Sequence, residues 1–416
     1  MEKYSDTFLV GNLPAVKYKN KVIIYDYFNS KIAEISEKDF LNNKLPALSY
    51  NGIPCNKKCN PKKSTLTLIL NRDCNMHCIY CFAHGGEKKD IISNDCIKEA
   101  IKKAIKPETK EILLSFFGGE PTLCYNKIVF ALNEINKYKN IQKKFAISTN
   151  GIMNLKVLNF IIKNRFTINL SMDGIPEIQN SQRPLASGLP SSKIVEDVIR
   201  KLSENNISFK VRITVTEKSV NRMEETVKYL ADLRVKYIHF EVVNLSGRAR
   251  DLNVKRPNIN DFIKNYKNCL KIAKKLGVTL VNGVYINLVN PSCHSCSAVT
   301  GGKLIITPEG NITRCYEVQD KSHPYADKFL VGEYDKNKNN FKLELSKVNK
   351  LIDRTSDSNL MCKDCFAKYI CSGGCVIRNL HGLNCNNIKL IDPYQCKLMK
   401  SLIKDAIIKI YKESKK

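Results

Sequence analysis

The chain has 416 residues, 43% of them hydrophobic, with 17 cysteines and a formal net charge of +28. That apolar content with only 14 prolines and 19 glycines excludes a disordered chain, and no apolar run approaches the ~20 residues a membrane span requires. Met1-Glu2-Lys3-Tyr4-Ser5-Asp6 lacks the basic and apolar regions of a secretory signal, so a cytoplasmic protein is expected, and so many thiols in a reducing compartment argue for metal ligation over disulfides.

The positive charge is carried by lysines scattered along the whole sequence, not by arginine-rich blocks, so no nucleic-acid partner is expected. A basic surface suits an acidic peptide instead. Residues 1–62 read as β-rich, with Val22–Tyr27 and Lys31–Ile35 flanking a turn at Phe28-Asn29-Ser30. From Ser64 strand-like and helix-like runs alternate, the mark of a parallel α/β fold. The strands are Leu66–Leu70, Ile112–Phe117, Phe145–Ser148, Thr167–Ser171, Phe209–Val215 and Tyr237–Val243. The helices are Asn94–Ala104, Tyr125–Tyr138, Leu155–Asn164, Ile194–Asn205, Met223–Leu233 and Asn260–Leu276. Six βα units make a partial (β/α)6 barrel over residues 63–283, whose active site belongs at the C-terminal ends of the strands. Cys74 to Cys81, Gly118-Gly119-Glu120-Pro121, Asn150-Gly151 and Asp173-Gly174 all fall at such ends. In residues 284–416 cysteine density rises and regular periodicity fades, until an amphipathic helix from Leu398 to Tyr411 closes the chain.

Cys74-x3-Cys78-x2-Cys81 places three thiols within eight residues. Three such ligands hold three irons of a cubane [4Fe-4S] cluster and leave the fourth open to a further ligand. Zinc is the competing reading, although structural zinc prefers paired C-x2-C motifs and four ligands. With Tyr80 as the aromatic, the motif resembles the C-x3-C-x-aromatic-C signature of the radical S-adenosylmethionine (SAM) enzymes. The resemblance implies a SAM-binding cluster on Cys74, Cys78 and Cys81 and reductive cleavage of SAM to a 5'-deoxyadenosyl radical. Ser115-Phe116-Phe117-Gly118-Gly119-Glu120-Pro121 resembles the family's GGE motif, which contacts the methionyl amino group. Tyr80, Ser148, Asn150, Ser171 and Arg212 are the other cofactor-binding positions it implies. Asp173, Arg183, His239 and Glu241 lie near strand ends as substrate-side candidates, and Asp173 is the candidate catalytic carboxylate.

Further on, Cys296-x13-Gly310-x4-Cys315 precedes Cys362-x2-Cys365-x5-Cys371-x3-Cys375 and Cys396. This spacing resembles the SPASM extension of radical SAM enzymes and implies two auxiliary [4Fe-4S] clusters, three clusters in all. Carried over, Cys293, Cys296, Cys315 and Cys375 would hold one, and Cys362, Cys365, Cys371 and Cys396 the other. Cys385 is a rival for Cys396, and a pair of zinc ribbons is the alternative use of these thiols. Cys96 and Cys269 fall in helical patterns, and Cys55 and Cys59 beside prolines.

Enzymes with this pairing mostly modify peptides, so the resemblance implies a maturase of a short ribosomally made precursor peptide. Thioether formation from a cysteine is the foremost product, with electrons from a flavodoxin or ferredoxin. Residues 1–62 are short for a leader-binding domain of that family. An anaerobic sulfatase-maturating enzyme is the alternative; those carry an Asp base directly after the equivalent of Cys315, where this chain has Tyr316 and then Glu317. A zinc-stabilised nucleic-acid-binding protein is the alternative of another class.

Overall fold

A computed structural model describes residues 6–48, 51 and 60–415. Cys55 and Cys59 lie outside the described residues. The chain forms two compact units, and each draws on separated stretches of sequence.

The first unit comprises Met1–Lys58, Asn282–Cys296 and Ile352–Lys416. Strands β1 (Thr7–Val10), β2 (Leu13–Tyr18), β3 (Lys21–Asp26) and β4 (Lys31–Ser36) form an antiparallel sheet in sequential order. The turn between β3 and β4 is built on Asp26, whose carboxylate accepts the backbone N–H of Phe28 (3.0 Å) and Asn29 (3.2 Å). Val22, Ile23 and Ile24 bury one core together with Leu288, Ile370, Ile403 and Ile407. The C-terminal helix spans Pro393–Glu413, longer than its apolar pattern. Asp392 caps it by accepting from the Tyr394 N–H, and Pro393 supplies the pre-set φ of a first helical residue.

The second unit comprises Cys59–Val281 and Ser297–Leu351 and contains one eleven-stranded sheet. Its parallel part is β5 (Lys63–Ile69), β6 (Glu111–Phe117), β7 (Gln142–Thr149), β8 (Thr167–Ser171), β9 (Phe209–Val215), β10 (Tyr237–Val242) and the two-residue β11 (Thr279–Leu280). Six helices alternate with them: Asn94–Ala104, Tyr125–Asn136, Leu155–Lys163, Ser192–Glu204, Met223–Asp232 and Ile259–Lys275. Strand residues alternate between faces: on β9, Phe209, Val211, Ile213 and Val215 are buried while Lys210, Arg212 and Thr214 keep partial exposure on the other face. The helices return matching stripes, such as Val195, Val198, Ile199 and Leu202.

Beyond β5 the sheet continues into residues that sequence pattern grouped with the cysteine-rich third. β12 (Leu304–Ile306) pairs parallel to β5 in the register Leu304↔Leu66 and Ile306↔Leu68. β13 (Asn311–Thr313), β14 (Leu330–Asp335) and β15 (Asn340–Leu343) follow antiparallel. β12 and β13 have three residues each, too few for alternation to register, and their membership is decided by pairing.

Candidate active site

Cys74, Cys78 and Cys81 lie on the loop leaving β5, and the segments that follow β6, β8 and β10 grip that loop. At its start, Gly119 N–H donates to Asn71 O (3.0 Å) and Glu120 N–H to Asp73 O (2.8 Å). A Cβ on Gly119 would stand 2.2 Å from Asp73 O, and one on Gly118 2.5 Å from Asn71 Oδ1, so the paired glycines are what lets β6 end against this loop. In its middle, His77 N–H donates to Pro184 O (2.9 Å) and Ile79 N–H to Gln182 O (3.0 Å). At its end, Arg248 N–H donates to Cys81 O (3.1 Å), and the buried Arg248 guanidinium donates to Cys78 O (3.0 Å) and to Gly85 O. Gly247, at φ +52°, leaves no room for a Cβ, which would meet Cys81 O at 2.4 Å.

The grip brings the Cys74 and Cys81 thiols to Gly85, where an added methyl would lie 3.6 Å from Cys81 Sγ and 3.7 Å from Cys74 Sγ. Burial pushes the Cys74 thiol up to about 12 and the Cys78 thiol up to about 11. At those values Cys74 and Cys78 stay protonated near neutral pH, so a metal centre supplying positive charge is what would make them ligands. Three sulfur donors on one short loop, with no side chain at Gly85 beside two of them, fit an iron–sulfur cluster.

Glu120 is fully buried. Its Oε1 accepts from Thr122 N–H (3.1 Å), Thr122 Oγ1 (2.7 Å) and Thr149 Oγ1 (2.8 Å), and its Oε2 from Asn150 N–H (2.7 Å). Burial pushes its pKa up, against those donors. Asn150 also donates from Nδ2 to Asn75 Oδ1 (2.8 Å) and to Cys74 Sγ (3.6 Å). Ser148, Ser171 and Arg212 stand on the polar face of the sheet: Asn169 Nδ2 donates to Ser148 Oγ (3.3 Å), and Ser171 is in register with Arg212 and Arg212 with His239. Glu241 lies 3.6 Å from Arg212 Nη2 and 3.5 Å from His239 Nε2.

Asp173 is placed otherwise than a catalytic base requires. At 1% exposure its carboxylate accepts from Tyr80 Oη, Gln182 Nε2 (2.7 Å) and Thr214 N–H (2.8 Å) and pairs with Arg183 Nε at 3.1 Å. Four partners on two oxygens leave it a buried counter-ion. Tyr80 is likewise turned inward, with burial and the neighbouring carboxylate raising its pKa well above the usual phenol value, and Arg183 stacks over its ring at 5.1 Å. Arg183, a substrate-side candidate by sequence, points Nη1 at Cys78 Sγ (3.8 Å).

In the first unit Cys362, Cys365, Cys371 and Cys396 line one small cavity with Gly373 and Gly374. Burial and the neighbouring thiols push Cys371 up to about 12. Arg354 holds this wall by donating to Gly373 O (2.8 Å), Gly374 O (3.3 Å) and Ile388 O (3.0 Å). Cys293 Sγ lies 3.4 Å from His294 Nδ1, and His294 Nε2 is 2.7 Å from Ile352 O. Cys315 follows β13 in the second unit, where Tyr316 packs on Phe117 (5.1 Å between ring centres) and its hydroxyl meets Thr67 Oγ1 at 3.2 Å. Sequence pattern missed Arg72, Arg248 and Arg354; no local signal distinguishes a buried arginine from the many cations of this chain.

The family model of the radical SAM superfamily matches residues 68–230. The chain is 31% identical over 257 residues to an uncharacterized protein of Methanocaldococcus jannaschii, covering 61% of this chain and 84% of that one. It is 22% identical over 337 residues to a cysteine-type anaerobic sulfatase-maturating enzyme of Clostridium perfringens, covering 76% and 89%. Among solved structures it resembles native anSMEcpe with bound AdoMet, at TM-score 0.68 and 20% identity over 84% of this chain and 99% of that one. It also resembles Streptococcus suis SuiB bound to precursor peptide SuiA, at TM-score 0.58 and 14% identity over 94% and 100%. The chain belongs to the radical SAM superfamily, whose members use a [4Fe-4S] cluster and SAM, and it is an enzyme of that class. No helix among the described residues is long and apolar enough to cross a membrane.

Proposed function

We propose that this enzyme is a peptide maturase that uses a 5'-deoxyadenosyl radical to cross-link a ribosomally made precursor, with a cysteine thioether as the product. The observation that carries the reading is the three-thiol loop fixed at the C-terminal end of a parallel α/β sheet, with the polar residues of one sheet face beside it. Cys74, Cys78 and Cys81 would hold the cluster, which when bound supplies the electron that cleaves SAM. Glu120, Asn150, Ser148, Ser171 and Arg212 are assigned to the cofactor: Glu120, fully buried under four donors, holds Asn150 and Thr149 at the end of β7, and the Arg212 guanidinium suits a carboxylate or ribose. Cys362, Cys365, Cys371 and Cys396 fit one auxiliary cluster, since they share a cavity. A short peptide is the proposed substrate, in keeping with the precursor peptide bound by SuiB, and a flavodoxin or ferredoxin the proposed electron donor.

Sulfatase maturation is disfavoured at one position. Where that family places an Asp base after the Cys315 equivalent, Tyr316 packs on Phe117 with its hydroxyl against Thr67 Oγ1, and Glu317 accepts from Asn244 Nδ2 at 3.1 Å and 3.0 Å. The deciding experiment incubates anaerobically reconstituted enzyme, SAM and reductant with short peptides encoded beside the gene. A product about 2 Da lighter, two hydrogens, with one alkylatable thiol fewer is the expected result. Unchanged peptide masses alongside 5'-deoxyadenosine release refute the peptide assignment, and 5'-deoxyadenosine formation by a Cys78→Ala variant refutes the cluster assignment.

A further inference from the structure

Arg183 is a fixed cation placed against the sulfur of one of the three loop cysteines, and three contacts keep it there. Its Nε pairs with Asp173 Oδ1 at 3.1 Å, its Nη2 reaches Thr214 Oγ1 at 3.4 Å, and the plane stacks on the Tyr80 ring at 5.1 Å. The remaining arm, Nη1, approaches Cys78 Sγ at 3.8 Å. Asp173 is itself pinned by Tyr80, Gln182 and the Thr214 N–H, so the guanidinium cannot swing away without leaving a buried carboxylate unpaired. The other buried arginines beside this loop are committed elsewhere: Arg248 donates to the backbone oxygens of Cys78 and Gly85 and to Glu87, and Arg72 pairs with Asp90, Glu309 and Asp320.

We propose that Arg183 is a positioning residue that sets the reduction potential of the cluster held by Cys74, Cys78 and Cys81, its buried charge stabilising the electron-rich state. This rests on the cluster assignment above. A buried cation beside a ligating sulfur favours the more negative, reduced form, and hydrogen bonds to cluster sulfurs act in the same direction. Asp173 opposes it as the anion paired with the far side of the guanidinium, while Thr214 Oγ1 and the Tyr80 ring keep the arginine in place. The pair therefore predicts two shifts of opposite sign: loss of the cation makes the cluster harder to reduce, and loss of the anion makes it easier.

The test is a redox titration of the anaerobically reconstituted enzyme followed by electron paramagnetic resonance. The component that changes on adding SAM identifies this cluster among the others. At the potential where that component is half reduced in the unmodified enzyme, Arg183→Gln should lower the reduced-to-oxidised ratio about tenfold, a 59 mV shift for one electron. Asp173→Asn should raise the ratio at least about threefold, and Arg183→Lys, which keeps the charge, should stay within about threefold of the unmodified enzyme. A ratio for Arg183→Gln within about threefold of the unmodified enzyme, or shifted in the same direction as Asp173→Asn, overturns the proposal. If Arg183→Gln fails to retain its cluster, Asp173→Asn decides alone: an unmoved or lowered ratio overturns it. An unmodified enzyme with no SAM-responsive component overturns the cluster assignment and this inference together, whereas a responsive component that ignores both substitutions overturns this inference only.

Discussion

Replacing Arg248 with Met tests whether the sixth strand's exit holds the cysteine loop. Met keeps most of the apolar stem and removes the charged fork, which is 4% exposed as a residue. Two donations to backbone carbonyls are lost, to Cys78 O and Gly85 O; Cys78 O retains the N–H of Cys81 at 3.2 Å. The contact to Glu87 is left out because that side chain is 54% exposed. At about 1.5–3 kcal/mol for each charge-assisted bond, local stability should fall by on the order of 3 kcal/mol, a more than 100-fold rise in opening. A global unfolding midpoint is the wrong assay for a chain of two compact units. Amide hydrogen exchange reads the loop itself: the N–H groups of Cys81 and Gly86, bonded to Cys78 O and Arg72 O, should exchange about 100-fold faster, with β6 amides unchanged as internal controls. A change below about threefold at both amides would mean that the loop is held by its other two grips and that Arg248 contributes little.

Gly119→Ala should lower iron content and soluble yield, because its Cβ meets the backbone oxygen of Asp73 at 2.2 Å, whereas Gly283→Ala, with nothing within 4 Å, should leave both unchanged; equal iron in the two variants would contradict the close-approach role. The Asp320 carboxyl is pushed up by burial but brought down overall to about 2, from 3.8, by Lys88, Ser322 and Arg72. Its folded pKa being depressed, its contribution is present above pH ~4 and lost as pH falls toward ~2. Protection of the Ser322 N–H, which donates to Asp320 Oδ1 at 2.8 Å, against hydrogen exchange should differ between the unmodified protein and Asp320→Asn above pH ~4 and converge toward pH ~2, and a gap that widens on acidification would reverse the sign. Single Ala substitutions at Cys362, Cys365, Cys371 or Cys396 should each lower iron by up to about four atoms per chain, the content of one cubane, while Cys385→Ala leaves it unchanged. Retained iron in Cys396→Ala with loss in Cys385→Ala would exchange their roles.

The periodic elements were legible because local rules suffice for them. Alternation along Phe209–Val215 marks a strand with one covered face, and Ser93, whose side chain accepts the Cys96 N–H, starts the helix at Asn94. The C-terminal helix was placed too short because its apolar stripe begins at Leu398, while the signal for its start is the Asp392-Pro393 cap. The cysteine spacing was legible as a ligand set, and its position after a strand located the site. Asp173 could not be read the same way: a carboxylate beside a glycine at a strand end looks equally like a base or a counter-ion until Tyr80, Gln182, Thr214 and Arg183 are seen converging on it.

By itself, then, the sequence determined the alternating α/β order, the position of the three-thiol loop after the first parallel strand and the superfamily these imply, since each is written in contacts a few residues apart. Only the tertiary structure decided that β12 to β15 continue the sheet beside β5, that the first and last stretches of the chain share one core, and that Arg72, Arg183, Arg248 and Arg354 are buried clamps among many lysines. A buried charge survives only where partners distant in sequence offset its desolvation, and such partners are chosen by the fold, with no trace in local pattern.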